Sequence, residues 1–203
     1  MIIKLSEKRQ CVDIIREILS VFYAHTFEEI SEYFPYWKTS LIENSLKILI
    51  RKKEVTTYEV NGTVYYVKDG RFHSASESYN ERSNIKPALD FVRLMINSRD
   101  ESGMLINSIK YISTSNEPHC ILFECNKNLY QTIYMPKDEC QSMVNLYNLS
   151  DSQLNHNDDV PPYRIVVVDS PDYFDLININ KIKYKVFIKE DKSLVYEIGD
   201  GVC

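Results

Sequence analysis

The stretch TFEEISEYFPYWKTSLIENSLKILIRKKEVTTYEVNGTVYYVK, Thr26 to Lys68, decides how this chain is read. It opens on Thr26-Phe27-Glu28-Glu29, where the threonine hydroxyl can accept from the backbone of Glu29 and the Glu29 carboxylate can bond back to the amide of Thr26. Phe27, Ile30 and Phe34 then recur at helical spacing, and Pro35 ends the helix because the residue before a proline avoids the helical region. After a turn, Thr39 or Ser40 can cap a second helix that buries Ile42, Leu46 and Leu49. Two β-rich runs, Val55–Val60 and Thr63–Lys68, flank Asn61-Gly62, a pair suited to the positive backbone angles of a two-residue hairpin turn. Helix, turn, helix and ribbon follow one another without interruption.

Upstream, Glu7 to Phe22 carries Val12, Ile15, Leu19 and Phe22 on one stripe, which predicts a helix capped by Ser6. The helix after Pro35 turns Lys38, Thr39, Ser40, Glu43, Asn44 and Lys47 away from its apolar side. These are donors and acceptors fitted to base edges and phosphates. Arg51, Lys52 and Lys53 add positive charge at the helix end, where it also complements the helix dipole.

With Ile42, Leu46, Leu49 and Val55 at its core positions, this third of the chain resembles the winged helix-turn-helix superfamily. The resemblance implies double-stranded DNA as partner, with the Thr39–Lys47 face in the major groove and the Asn61-Gly62 tip on the backbone or minor groove. Many members have a glycine between helix and ribbon; here Lys53-Glu54 stands there. The alternative is a module that docks a protein partner, its polar face simply hydrated.

A net charge of −5 over 203 residues excludes general attraction to nucleic acid, so any DNA contact must be local. Met1–Glu7 carries too short an apolar run for a secretory signal, and no stretch reaches membrane-spanning length, so a cytoplasmic protein with no membrane partner is expected. Five cysteines without Cys-x-x-Cys spacing point to free thiols. The histidines (His25, His73, His119, His156) are scattered, and no glycine-rich phosphate loop occurs, so no cofactor or resident metal is expected.

Residues 1–70 read as the helical module, 71–84 as a polar linker, and 85–203 as a second domain. That domain begins with a helix at Pro87 (Leu89, Val92, Ile96), a helix that could pair two copies into a homodimer. A strand at Ile109–Ser113, a hairpin of 120–124 and 129–134, and a helix from Pro136 to Leu149 follow. Tyr163–Val168 has the continuous apolar character of a buried central strand, with Asp169 at its carboxyl edge. Strands at 183–189 and 194–198 close the chain. The expected class is α+β: a winged helix-turn-helix followed by a mixed α/β sheet domain.

Across most of its length the chain also resembles an uncharacterised family of bacterial conjugative and integrative elements that joins a winged helix to a small α/β domain. The residues that carry this are the Leu122-Phe123 to Tyr130 hairpin with its exit at Tyr134-Met135-Pro136, Arg164 to Pro171, and Val186 to Tyr196. The resemblance implies a DNA-associated accessory or regulatory protein. The expected function is sequence-specific, non-enzymatic DNA binding in transcription regulation, with the second domain associating with itself or a partner. One enzymatic alternative is a metal-dependent nuclease. Pro171-Asp172 and Glu190-Asp191-Lys192 match a loose pattern in which two carboxylates hold a divalent ion beside a lysine.

Overall fold

A computed structural model describes residues 2–4, 11–22, 24–70, 85–102, 109–114, 119–154, 163–179 and 182–198. Its first helices are α1 (Cys11–Val21), α2 (Phe27–Glu32) and α3 (Thr39–Arg51), followed by the hairpin β2 (Val55–Val60) and β3 (Thr63–Lys68). α1 lies against α3, with Ile14, Ile15, Ile18, Leu19 and Phe22 facing a core that includes Ile42, Leu46 and Leu49. The buried side of α1 is broader than the predicted stripe because this helix also touches the large sheet.

The local signals act as their chemistry dictates. Thr26 and Glu29 form the reciprocal cap of α2, with Thr26 N donating to Glu29 Oε2 at 2.9 Å and Glu29 N to Thr26 Oγ1 at 3.2 Å. Asn61 and Gly62 have φ of 50° and 76°, and Val60 pairs with Thr63 across them. Between α1 and α2, His25 exchanges backbone bonds with Tyr66 of β3, at 3.1 and 2.8 Å, which ties the interhelix link to the hairpin. One cap differs from expectation. The residue flanking α3 is Lys38, with no side-chain bond to the helix, while Thr39 and Ser40 lie inside the first turn.

α3 ends in a left-handed residue that is not glycine. Lys53 has φ of 56°, its N–H reaches Ile50 O at 2.9 Å, and Glu54 N–H reaches Leu49 O at 3.0 Å. This paired closure usually employs glycine at that position, because a Cβ there meets the following carbonyl. Lys53→Gly is therefore expected to raise stability by about 0.5–1 kcal/mol, read as a shifted urea midpoint at unchanged slope.

The remaining elements build one seven-stranded sheet in the order β1-β4-β5-β6-β7-β8-β9. β1 is Ile2–Lys4, β4 Ile109–Thr114, β5 Cys120–Cys125, β6 Asn128–Met135, β7 Tyr163–Val168, β8 Ile182–Ile188 and β9 Leu194–Ile198. β6, β7 and β8 run parallel; every other pairing is antiparallel. Helix α4 (Lys86–Asn97) covers β5, β6 and β7 on one face. On the other face, Met143, Val144 and Tyr147 of α5 (Cys140–Leu154) pack with Ile133, Met135, Val166 and Val168. Covered on both sides, Ile165 to Val168 is buried throughout, which is why it reads as an unbroken apolar run.

The class is α+β, but the expected division of the chain does not divide its core. Phe22, Ile30 and Leu46 share one apolar cluster with Leu89 and Val92 of α4 and with Phe123, Ile165 and Val186 of the sheet. β1 precedes the helical part in sequence and pairs with β4, Ile2 opposite Ser113. The segment read as a linker, 71–84, lies outside the described residues. α4 buries Ala88, Leu89, Phe91, Val92 and Ile96 within the molecule, so the expected pairing of two copies through this helix has no apolar face left to use.

Candidate functional site

α3 exposes every residue that its sequence assigns to a binding face. Ile42, Ser45, Leu46 and Leu49 are buried, whereas Lys38, Thr39, Ser40, Glu43, Asn44, Lys47 and Arg51 are exposed. The helix packs on α1 and β2, and its outer side is left uncovered by the large sheet. Ser45 donates its hydroxyl to Leu41 O at 2.8 Å, so this polar residue is satisfied within the helix and lets α1 approach.

Lys52 and Lys53 are exposed at the end of α3, and Asn61 and Gly62 are exposed at the hairpin tip. Lys53 also borders a shallow recess with Arg16, Ser20, Glu54 and Asp69. Arg16 binds both Glu54 and Asp13, and the bond from Arg16 holds the Glu54 carboxyl below its ordinary range. The cations of α3 are interleaved with other chemistry. Glu43 sits among them, and Leu41 and Ile48 are 46% and 41% exposed. Burial, with Glu28 and Glu43 nearby, raises the pKa of the Tyr66 phenol on β3.

A second feature lies where α2 and α4 meet the carboxyl ends of β7 and β8. There a cleft of about 600 Å³ is bordered by Glu29, Glu32, Asp90, Arg93, Asp169 and Lys192, over an apolar floor of Val167, Val168 and Phe187. Arg93 is buried, and its guanidinium meets three carboxylates. Nε donates to Glu32 Oε2 at 2.8 Å, Nη2 lies 3.5 Å from Glu29 Oε1, and Asp90 binds it from one turn earlier on α4. The Tyr33 ring lies 5.8 Å from the Arg93 guanidinium carbon, and burial pushes its phenol up to about 12. Lys192, in the turn between β8 and β9, completes the group by donating to Glu32 Oε1 at 3.0 Å.

Sequence reasoning passed over this network, although a signal was present. Arg93 stands four residues after Leu89 and three before Ile96, on the apolar side of its helix. A cation on that stripe must either reach solvent or meet buried acid, and α2 supplies the acid.

The residues of the nuclease pattern occupy separate settings. Asp172 is the second residue of a 3-10 segment, Pro171–Leu176, and its N–H is capped by Ser170 Oγ at 3.3 Å. Glu190, Asp191 and Lys192 form the β8–β9 turn, where Asp191 accepts from Ser193 N at 2.8 Å and Lys192 is bound to Glu32. Among the described residues no group of three His, Cys, Asp or Glu side chains is placed to hold a metal ion. Asp169, noted at the end of β7, accepts from the Tyr134 hydroxyl at 2.7 Å and from Lys137 N at 3.2 Å; burial and that acidic neighbour push the Tyr134 phenol upward. No described helix is long and apolar enough to cross a membrane. Compared with protein-family models and with curated proteins, the chain matches none.

Proposed function

We propose that the helical part is a winged helix-turn-helix that binds double-stranded DNA through α3 and the β2–β3 tip, in an accessory or transcription-regulating role. The observation that carries this reading is the uncovered outer side of α3, where Ser40, Asn44, Lys47 and Arg51 reach solvent, with Lys38 and Thr39 exposed at the start of the helix. A helix of this kind fits the major groove, its polar side chains meeting base edges while lysines meet phosphate. The order of elements supports it too, since α3 runs directly into a hairpin whose strands are fixed by a two-residue turn. The net charge of −5 makes binding depend on these few cations, so the interaction is expected to be strongly salt-sensitive.

The test is enrichment of a binding site from random duplexes, followed by fluorescence anisotropy at several salt concentrations. Lys47→Ala combined with Lys52→Ala should weaken binding to the selected site by about tenfold or more and flatten the salt slope by about one unit per lost phosphate contact. Unchanged affinity in the double variant, or no enriched duplex at low salt, removes the proposal. The exposed Leu41 and Ile48 favour a second reading, docking of a protein on the same helix. Leu41→Lys with Ile48→Lys separates the two, because added positive charge strengthens DNA attraction and opposes apolar docking.

A further inference from the structure

We infer that β9 is an interface through which two copies of this chain join their sheets, strand to strand about a two-fold axis. β9 pairs with β8 on one side and, among the described residues, with nothing on the other. The hydrogen-bond phase of that pairing fixes which backbone groups are left over. Lys189 N–H reaches Ser193 O at 2.9 Å, which makes Lys189 and Ser193 a bonded pair. Bonded and non-bonded pairs alternate along an antiparallel ladder, so Phe187/Val195 and Lys185/Glu197 are bonded, while Ile188/Leu194, Val186/Tyr196 and Tyr184/Ile198 are not. Leu194, Tyr196 and Ile198 therefore direct their N–H and C=O groups toward the open edge.

The same three residues carry the exposed apolar side chains of the strand, Leu194 at 38%, Tyr196 at 59% and Ile198 at 70%. Period two places them on one face, beside Tyr184, Val186 and Ile188, on the side of the sheet where α4 lies mainly over β5 to β7. Solvated edge strands ordinarily carry a lysine, a proline or a bulge that blocks pairing. Leu194–Ile198 has none of these, and its pairing with β8 runs without a register shift.

The occupant is a second copy because the strand is complementary to itself. Centred on Tyr196, an antiparallel pairing sets Tyr196 opposite Tyr196 of the other copy as a bonded pair and Leu194 opposite Ile198. Val195 then stands opposite Glu197, so the single charge of the strand never meets its like. The contact is short against the roughly 1,200 Å² of total buried surface at the lower limit of standard interfaces, and a Kd of about 1–100 µM is expected.

Sedimentation equilibrium from about 1 to about 300 µM, with no DNA present, tests this apart from the DNA reading. The mass should rise from the 23.9 kDa of one chain toward twice that value. Tyr196→Pro removes an outward N–H without removing a bond to β8, and Tyr196→Lys sets two lysines opposite each other at the two-fold axis; each should raise the dissociation constant at least tenfold. The lysine variant supplies the reading if the proline disturbs the strand, and circular dichroism checks the fold of both. Glu197→Gln, facing Val195 in this register, should leave the constant within about twofold. A monomer at about 300 µM overturns the inference, as does a dimer that folded Tyr196→Lys leaves undiminished.

Discussion

Arg93→Ala is expected to cost about 3–5 kcal/mol of stability, the range for breaking a buried ion pair by removing one partner. The loss comes less from the departed attraction than from what stays behind. Glu29, Glu32 and Asp90 are gathered around one guanidinium; Glu32 retains Lys192 and Asp90 retains Lys86, so the loss falls hardest on Glu29. Glu29 is also committed to the cap of α2, so it cannot turn freely to water. Arg93→Met separates packing from charge: it keeps much of the volume but none of the compensation, and should fall nearly as far as alanine. Urea unfolding at neutral pH measures both. A loss under about 1 kcal/mol would mean that water already screens the three acids.

Leu89→Ala is expected to cost about 2–5 kcal/mol, as for other buried leucines, and its wider value lies in how the loss is distributed. Leu89 belongs to the apolar cluster shared by α1, α3 and the sheet. If that cluster holds one cooperative unit, tertiary signals from the helices and from the sheet must move together. Trp37, the sole tryptophan, stacks on Phe34 at 4.4 Å between ring centroids and reports the α2–α3 turn. Tyr130, Tyr134, Tyr163, Tyr184 and Tyr196 lie in the sheet and contribute to near-ultraviolet circular dichroism, which serves as the second probe. Both transitions should shift to the same lower midpoint. Two separated midpoints would show that the helical part and the sheet unfold independently despite their contact.

The sequence made the helical part legible because its signals are local. A reciprocal cap, a proline, an apolar period and Asn-Gly each act within a few residues, and each acts where it was read. β7 was legible for a related reason, since burial on both faces leaves no polar alternation. β1 was not, because three residues hold no period and their partner lies more than a hundred positions away. The cluster shared by the helices and the sheet was hidden for the same cause: a polar stretch marks where a chain can bend, not what packs together afterwards. For the candidate face of α3, exposure followed from the amphipathic pattern. The interleaving of Leu41 and Ile48 among its polar residues was also in the sequence, but their exposure became evident only once the packing of α1 and β2 was known.

Synthesis from the amino end gives the Arg93 network a temporal side. Glu32 is made 61 residues before Arg93 and 160 before Lys192, so the acids of α2 emerge well ahead of either cation. A nascent α1–α3 unit thus carries like charges in close company and an apolar side that still lacks α4. Its completion waits on distant contacts, which delays folding relative to a freestanding helical module of the same size. The arrival of α4 ends that wait by delivering counter-charge and apolar cover on one helix, at one moment in the growth of the chain.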